Sequence, residues 1–368
     1  MRADWESHLQ RWVSEGVVEP AAAERIRAFE RGQSQTQGLG WPILLALVCG
    51  AVLVGAGVLL FVSAHWDQLS PAQRMSVVLL MVASFHAGGA AVAGRFDALS
   101  IAMHTVGTIA LGAGVALAGQ IFNLAEHWPS GVMLWALGAA IGWLLLGHWT
   151  QAALTAILAP WWLAGEWVTR YTASHATRPV AVGLCALSFA YLSARQSAHD
   201  SALRKALGWI GGIALLPAAV YTASDAWIDT PFRASQLPAW ALAIALPIAV
   251  AAALRGRETV WNAVSVFWTL VLAALAGTRP DYLAVYVWCA VGAVGLSMWG
   301  IHEARPERIN LGIAAFAFTV FGFYFSSVMD KLGRSASLMG LGILFLGGGW
   351  MLERTRRRLM ARIRPEAT

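Results

Sequence analysis

The feature that most constrains this chain is a series of long apolar segments separated by short polar turns. Apolar runs of about 18 to 23 residues recur along the sequence, and each is long enough to cross a hydrocarbon layer about 30 Å thick as a helix. Residues 50–74 show the pattern, with a glycine-rich apolar run, a polar turn at 64–71 and the start of the next run. The sequence therefore predicts membrane-spanning helices.

Composition excludes a soluble globular protein. Hydrophobic residues make up 58% of the 368 positions and charged residues only 12%, about half the charged share of a typical soluble domain. A chain with this composition cannot bury its apolar surface in one soluble core. We expect an all-α, polytopic transmembrane helical bundle.

The hydropathy pattern predicts about twelve crossings within a bundle that extends over residues 42–352. An even number places both termini on the same side of the membrane. The predicted crossings are residues 42–63, 72–93, 100–124, 131–147, 150–168, 179–194, 207–223, 238–254, 260–276, 282–301, 309–329 and 337–352.

The two ends of the chain differ from the apolar region between them. Residues 1–31 predict a short cytosolic helical hairpin, because apolar side chains recur at helical spacing on both sides of a break at Glu15-Gly16. Residues 32–41, rich in Gln and Gly, predict a flexible linker. Residues 353–368 form a basic cytosolic tail.

The basic balance, a formal net charge of +6, predicts orientation. Arginine and lysine in short loops favour the cytosolic side, so we expect both termini in the cytosol of a bacterial cell, with the protein in its inner membrane. Anionic lipid headgroups are the expected partners of the tail, and nucleic acid is the less favoured partner. The cytosolic loops would hold Arg95, Arg195, Arg204, Lys205, Arg255, Arg257, Arg305 and Arg308.

The chain shows no cofactor fingerprint, and we expect no cofactor. Cys49, Cys185 and Cys289 all lie in apolar runs, which argues against disulfides and against a cysteine metal site. Residues 1–40 are polar and charged rather than a basic start followed by a short apolar run, so the sequence predicts no signal peptide.

One cluster of polar residues is a candidate site, because two predicted outer turns and the end of the third crossing could bring its members together. Two imidazoles and two carboxylates could ligate zinc or another divalent ion, although the spacing matches no established metal motif. In the alternative interpretation the His-Trp pairs anchor helices at headgroup depth and Asp67 caps a helix. The candidates are His65, Asp67, Gln120, Asn123, Glu126 and His127.

Other residues inside the apolar runs have a structural and a functional interpretation. His86 could relay protons or could bond Ser84 or the backbone of a neighbouring helix. Glu166 could serve an ion path or reach headgroups at the rim. Three prolines lie inside crossings, where they bend helices, as is common at transporter sites and in membrane helices generally. They are Pro160, Pro217 and Pro247.

Several segments together resemble a known family. They are Trp12 with Glu15-Gly16, residues 55–61, Trp66-Asp67-Gln68-Leu69 with Arg74, residues 119–124 and Leu134-Trp135. Over roughly residues 1–170 the chain is similar to bacterial polytopic membrane proteins catalogued as domain of unknown function 2157. The resemblance implies a bacterial inner-membrane protein and transfers no activity.

Three classes of function remain open on the sequence. A carrier of a small or lipidic solute is favoured by the helix number, by the glycines that recur within several crossings and by the prolines. A non-catalytic scaffold or sensor would use the N-terminal hairpin as its site for a protein partner. A membrane-embedded enzyme would use the outer His, Asp and Glu groups.

Overall fold

A computed structural model describes residues 4–36, 70–121, 127–171, 177–196, 200–224, 234–277 and 282–328, with single positions at 50, 53, 342, 347, 350 and 354. Within these ranges every regular element is a helix, and twelve are α-helices. The predicted all-α helical bundle is confirmed. The helices are α1 (Asp4–Ser14), α2 (Pro20–Thr36), α3 (Pro71–Val92), α4 (Asp97–Ile121), α5 (Trp128–Leu146), α6 (Trp149–Tyr171), α7 (Arg178–Leu192), α8 (Ala202–Thr222), α9 (Leu237–Arg255), α10 (Val260–Ala276), α11 (Tyr282–His302) and α12 (Pro306–Phe323).

Helices α3 to α12 coincide with ten of the twelve predicted crossings, to within a few residues at each end. The predicted crossings 42–63 and 337–352 lie outside the described residues. By length and composition, seven stretches of the described chain could cross a membrane, and one of them, Leu237–Ala276, contains both α9 and α10. The predicted multi-pass character is therefore confirmed.

The seven stretches are fewer than the twelve expected crossings for identifiable reasons besides the two undescribed segments. Helix α7 has only 15 residues. Helix α6 carries Gln151, Glu166 and Arg170, whose polarity lowers its hydropathy. Both helices nevertheless occupy the positions that the sequence pattern predicts.

Local sequence explains where several helices begin and end. Ser70 caps α3, since its hydroxyl accepts a hydrogen bond from the Gln73 backbone while the Gln73 side chain accepts one from the Ser70 backbone, and Pro71 fits the first helical turn. Gly147 ends α5 with a left-handed φ of 67°, a conformation that costs glycine least. Ser201 caps α8.

The N-terminal hairpin forms as α1 and α2, in which Leu9 and Ala23 are buried. Helix α2 continues to Thr36, so the first part of the predicted linker is helical rather than flexible. A single glycine at position 32 lowers helix stability by about 1 kcal/mol, which is too little to end a helix. The rest of the predicted linker lies outside the described residues.

The chain divides into two compact units, residues 1–124 and 125–368. In the first unit α3 packs along α4. In the second unit α7 is the central helix, packed against α8, α9 and α10, and every residue from Cys185 to Ala194 is buried. A helix that is apolar on all sides is stable only when neighbours surround it. Two apolar clusters cover it, built around Phe189 and Trp299 and around Tyr191 and Leu207.

Candidate functional site

The outer polar cluster stays a prediction. His65, Asp67, Asn123 and Glu126 lie outside the described residues. Gln120 is exposed near the end of α4. Among the residues that the structure describes, no group of three or more His, Cys, Asp or Glu side chains could hold a metal ion.

His127 has a partner that sequence analysis treated separately. It lies directly before α5, and its Nε2 is 2.8 Å from Oε2 of Glu166 on α6. Arg170 lies one turn further along, 3.9 Å from the other oxygen of Glu166. All three side chains are partly exposed, so this pairing contributes little to stability. It forms a polar rim at the C-terminal end of α6.

Beneath that rim lies an apolar cleft of about 500 Å³, counting its open mouth, between α6, α7 and α9. It is formed by the C-terminal half of α6 and the N-terminal halves of α7 and α9. Each described residue that lines it is apolar. They are Pro160, Leu163, Ala164, Trp167, Pro179, Val180, Gly183, Leu184, Leu187, Ala239, Leu242, Ala243, Leu246 and Pro247.

Pro160 at the cleft removes one hydrogen bond from α6, and another helix replaces it. Proline has no N–H, so the carbonyl of the residue four positions earlier, Ala156, loses its donor within the helix. The hydroxyl of Tyr191 on α7 donates to that carbonyl oxygen over 2.8 Å. The proline-interrupted helix is therefore fixed to the central helix just below the cleft.

Pro247 interrupts α9 in the same way, and there the backbone faces a glycine. The carbonyl without a donor within the helix belongs to Ala243. A Cβ placed on Gly183 of α7 would lie 3.3 Å from both the Cα and the Cβ of Ala243, so a side chain at position 183 would crowd the contact between α7 and α9. Two of the three predicted helix-breaking prolines thus line the cleft, whereas Pro217 in α8 is exposed.

At the opposite ends of α7 and α9 lies a buried charged group that sequence analysis missed. We call Arg255, Trp299, Glu303 and Arg308 the arginine–glutamate cluster. The guanidinium of Arg255 is 2.6 Å from one carboxylate oxygen of Glu303, and that of Arg308 is 2.5 Å from the other. Both arginine side chains are fully buried.

The cluster ties four helix ends together. Arg255 ends α9, Trp299 lies in the last turn of α11, and Arg308 lies in the first turn of α12. Both guanidinium groups lie over the Trp299 ring, at 5.5 Å and 4.5 Å from its centre, and the indole N–H donates to Glu303. Remaining guanidinium N–H groups donate to the carbonyls of Ser193 and Arg195, which follow α7 and need such donors.

The cluster sets the charge state of Glu303. Burial by itself raises the pKa of this carboxyl, whereas the hydrogen bond from Arg255 and the positive charge of Arg308 lower it, with a net pKa of about 2. Glu303 is therefore ionised at any physiological pH.

This finding corrects the interpretation of these arginines as loop cations. Arg255 and Arg308 are buried because folding brings four separate helix ends to one place. The acidic residues in the same predicted loops, Glu303 above all, were the available signal. Acidic residues beside arginines in a predicted loop indicate that the arginines form ion pairs.

In the first unit the structure resolves the role of His86. Its Nδ1 lies 2.9 Å from Nδ1 of His104, with the two rings inclined at 43°. His86 therefore bonds a side chain on the neighbouring helix, and that partner is an ionisable ring rather than the backbone or serine expected from the sequence.

Comparison with known proteins finds a family match in the N-terminal part of the chain. Residues 10–151 match the family described as predicted membrane protein, DUF2157. The predicted resemblance is confirmed. The chain is also 34% identical, over 128 residues, to a phosphatidylglycerol–prolipoprotein diacylglyceryl transferase of Streptomyces griseus subsp. griseus. That match covers 31% of this chain and 37% of the transferase, so the chain spans about a third of the length of this curated relative. No solved structure matches the chain.

The DUF2157 region contains α2 to α5 and therefore both His86 and His104, together with all six residues of the predicted outer cluster. The apolar cleft and the arginine–glutamate cluster lie beyond it.

Proposed function

We propose that this protein is a membrane carrier of a lipidic solute, and that the apolar chain of the solute lies in the cleft between α6, α7 and α9. The observation that supports this proposal is the lining of the cleft, in which every described residue is apolar. Such a lining offers few partners to a polar or charged solute, whose desolvation would then be largely uncompensated. It suits an acyl or isoprenoid chain.

The interrupted helices support a carrier rather than a passive crevice. Pro160 and Pro247 each break the hydrogen-bond ladder of a helix where it lines the cleft. Transporter sites in membranes commonly lie beside such interrupted helices, since those helices bend without losing the rest of their backbone bonds. Tyr191 then acts as the fixed point about which α6 bends.

We place the cleft in the outer half of a bacterial inner membrane, with both termini cytosolic. In that orientation the ends of α6 and the starts of α7 and α9 face outward. Glu166 adjoins the cleft residue Trp167 in sequence, so the rim of His127, Glu166 and Arg170 would meet the headgroup. The arginine–glutamate cluster would then close the cytosolic ends of α7 and α9.

The test is movement of a fluorescent phospholipid across the bilayer of vesicles that contain the purified protein. Ala164→Phe puts an aromatic ring into the cleft and should slow movement about tenfold, the effect of roughly 1.4 kcal/mol on the barrier. Ala245→Phe is the matched control, because Ala245 is exposed on α9 and does not line the cleft. Equal rates in the parent and both variants, or no movement above that in protein-free vesicles, would contradict the proposal.

The N-terminal hairpin favours a second candidate function, that of a scaffold or sensor. Trp12, Val17 and Ile26 are 45%, 70% and 40% exposed on this small element, and exposed apolar groups of this kind often mark contacts with a partner. Deleting residues 1–36 should then abolish the cellular function while lipid movement in vesicles continues. A deletion without a cellular effect would exclude this candidate.

A further inference from the structure

In the histidine pair of the first unit, each ring packs against a glycine of the other helix. His86 and Gly89 lie on α3, and His104 and Gly107 lie on α4, three residues apart in each case. The ring of His104 fills the space above Gly89, and the ring of His86 fills the space above Gly107. A Cβ on either glycine would lie 2.8 Å from the Cδ2 atom of the opposing ring.

Because of this reciprocal packing, the two rings cannot be placed independently. Each helix offers bare backbone to the ring of the other, and the two Nδ1 atoms meet at 2.9 Å. His104 is only 4% exposed. The sequence pattern His-x-x-Gly on both helices thus specifies a single relative position of the two rings.

The contact between the Nδ1 atoms requires one donor and one acceptor. In a pair of neutral rings, one must carry its proton on Nδ1 and the other on Nε2. Adding one proton makes one ring an imidazolium, whose Nδ1–H donates to the neutral partner in a stronger, charge-assisted bond. Adding a second proton would leave two Nδ1–H groups facing each other, and the bond would break.

The distance favours a proton over a metal ion as the occupant. Zinc binds imidazole nitrogen at about 2.0–2.1 Å with tetrahedral geometry, so two ligating nitrogens lie roughly 3.3 Å apart. The observed 2.9 Å is a hydrogen-bond distance. Among the described residues, no third His, Cys, Asp or Glu completes a metal site with the pair.

The pair lies inside a predicted crossing. His104 is seven residues, or about 10 Å, from the start of α4 at Asp97. The charged residues on the two helices are Arg74 and Asp97, with Arg95 in the turn between the helices, and each is at least seven residues from either histidine along the chain. Ionisable groups at such depth in a membrane commonly mark proton pathways.

We propose that His86 and His104 together form a binding site for a single proton within the membrane. The proton that is taken up binds Nε2 of the ring whose Nδ1–H donates, so the hydrogen bond between the two Nδ1 atoms is kept and the α3–α4 pair gains one positive charge. This site is independent of the apolar cleft. A carrier with such a site can exchange a proton with one side of the membrane while its two helices stay joined.

The test is nitrogen NMR of histidine-labelled protein in lipid vesicles, titrated from about pH 8 to about pH 5, the range in which histidine changes charge. A through-space signal between two Nδ1 nuclei identifies the pair among the nine histidines. We expect both rings to respond in one common step that takes up one proton. His302→Gln, which removes an exposed histidine of the second unit, should leave that step unchanged.

Three results would overturn the proposal. Two separate steps that take up two protons would show independent rings. No response over the whole titration would show that the pair is only a structural contact. A response of both Nδ1 signals to added Zn²⁺ or Ag⁺ at neutral pH, with none to protons, would assign the site to a metal.

Discussion

The hydroxyl of Tyr191 donates a hydrogen bond to the carbonyl oxygen of Ala156 over 2.8 Å, and it thereby replaces the backbone donor that Pro160 cannot supply. The bond joins the interrupted helix α6 to the central helix α7. It lies at the inner end of the apolar cleft, where the two helices would otherwise separate.

Tyr191→Phe should therefore destabilise the protein. The variant leaves the carbonyl of Ala156 unpaired in an apolar environment, which costs about 1–3 kcal/mol. Thermal or denaturant unfolding in detergent micelles measures this loss.

The same measurement in a Pro160→Ala background is the control. Alanine restores the N–H that donates to the carbonyl of Ala156, so Tyr191→Phe should then cost less than about 0.5 kcal/mol, within the usual error of additivity. An unchanged cost in this background would mean that Tyr191 stabilises the fold by packing alone.

Glu303→Gln should destabilise the second unit more severely. It removes the carboxylate charge that faces two buried guanidinium groups, and breaking a buried ion pair in this way costs about 3–5 kcal/mol. Glu258→Gln is the matched comparison, because Glu258 also contacts Arg255, at 3.2 Å, but is 70% exposed. Its loss should cost at most about 1 kcal/mol. Equal costs for the two variants would contradict the central role of Glu303.

Acid should weaken the parent protein through the same residue. The pKa of Glu303 is about 2 in the folded state, below its value near 4.3 in an unfolded chain. Its contribution to the free energy of unfolding is therefore complete above about pH 5 and is lost as the pH falls toward 2. The difference in stability between the parent and Glu303→Gln should shrink over that range. A difference that stays constant with pH would contradict the assignment.

Gly107→Ala should disturb the histidine pair, because the new methyl group would collide with the ring of His86. Overpacking of this kind costs about 1–3 kcal/mol. Among the described residues, a methyl group at position 119 on the same helix would meet nothing within 4 Å, so Gly119→Ala should be neutral or should stabilise α4 by up to about 1 kcal/mol through helix propensity. Unfolding measurements on both variants test this contrast, and a Gly107→Ala variant as stable as Gly119→Ala would exclude close packing at the pair.

Local pattern was sufficient to predict most of the fold. Apolar run length located ten of the described helices, since a crossing must span the same thickness wherever it occurs. Even the short α7 was found, because a helix with no polar face is a strong local signal. Boundaries such as the end of α2 were less certain, because glycine and polar residues lower helix stability without ending a helix.

The sites could be predicted only in part. Pro160 and Pro247 were visible as interruptions, and His86 and Glu166 as polar residues in apolar surroundings. Their partners were not visible, because the contacts of Tyr191 with Ala156 and of Glu303 with Arg255 join residues far apart in sequence. Such contacts depend on which helices pack together, and hydropathy carries no information about that.

The most direct test of the carrier proposal uses a phospholipid with a photoreactive group in its acyl chain, incorporated into vesicles with the protein. After illumination, mass spectrometry locates the labelled residues. A solute chain seated in the cleft predicts strong labelling of Leu163, Leu184 and Leu246, all of which line it. Labelling there should fall in Ala164→Phe and persist in Ala245→Phe. Leu144, which is 80% exposed on α5, reports ordinary contact with lipid. Labelling no stronger in the cleft than at Leu144, and unaffected by Ala164→Phe, would contradict the proposal.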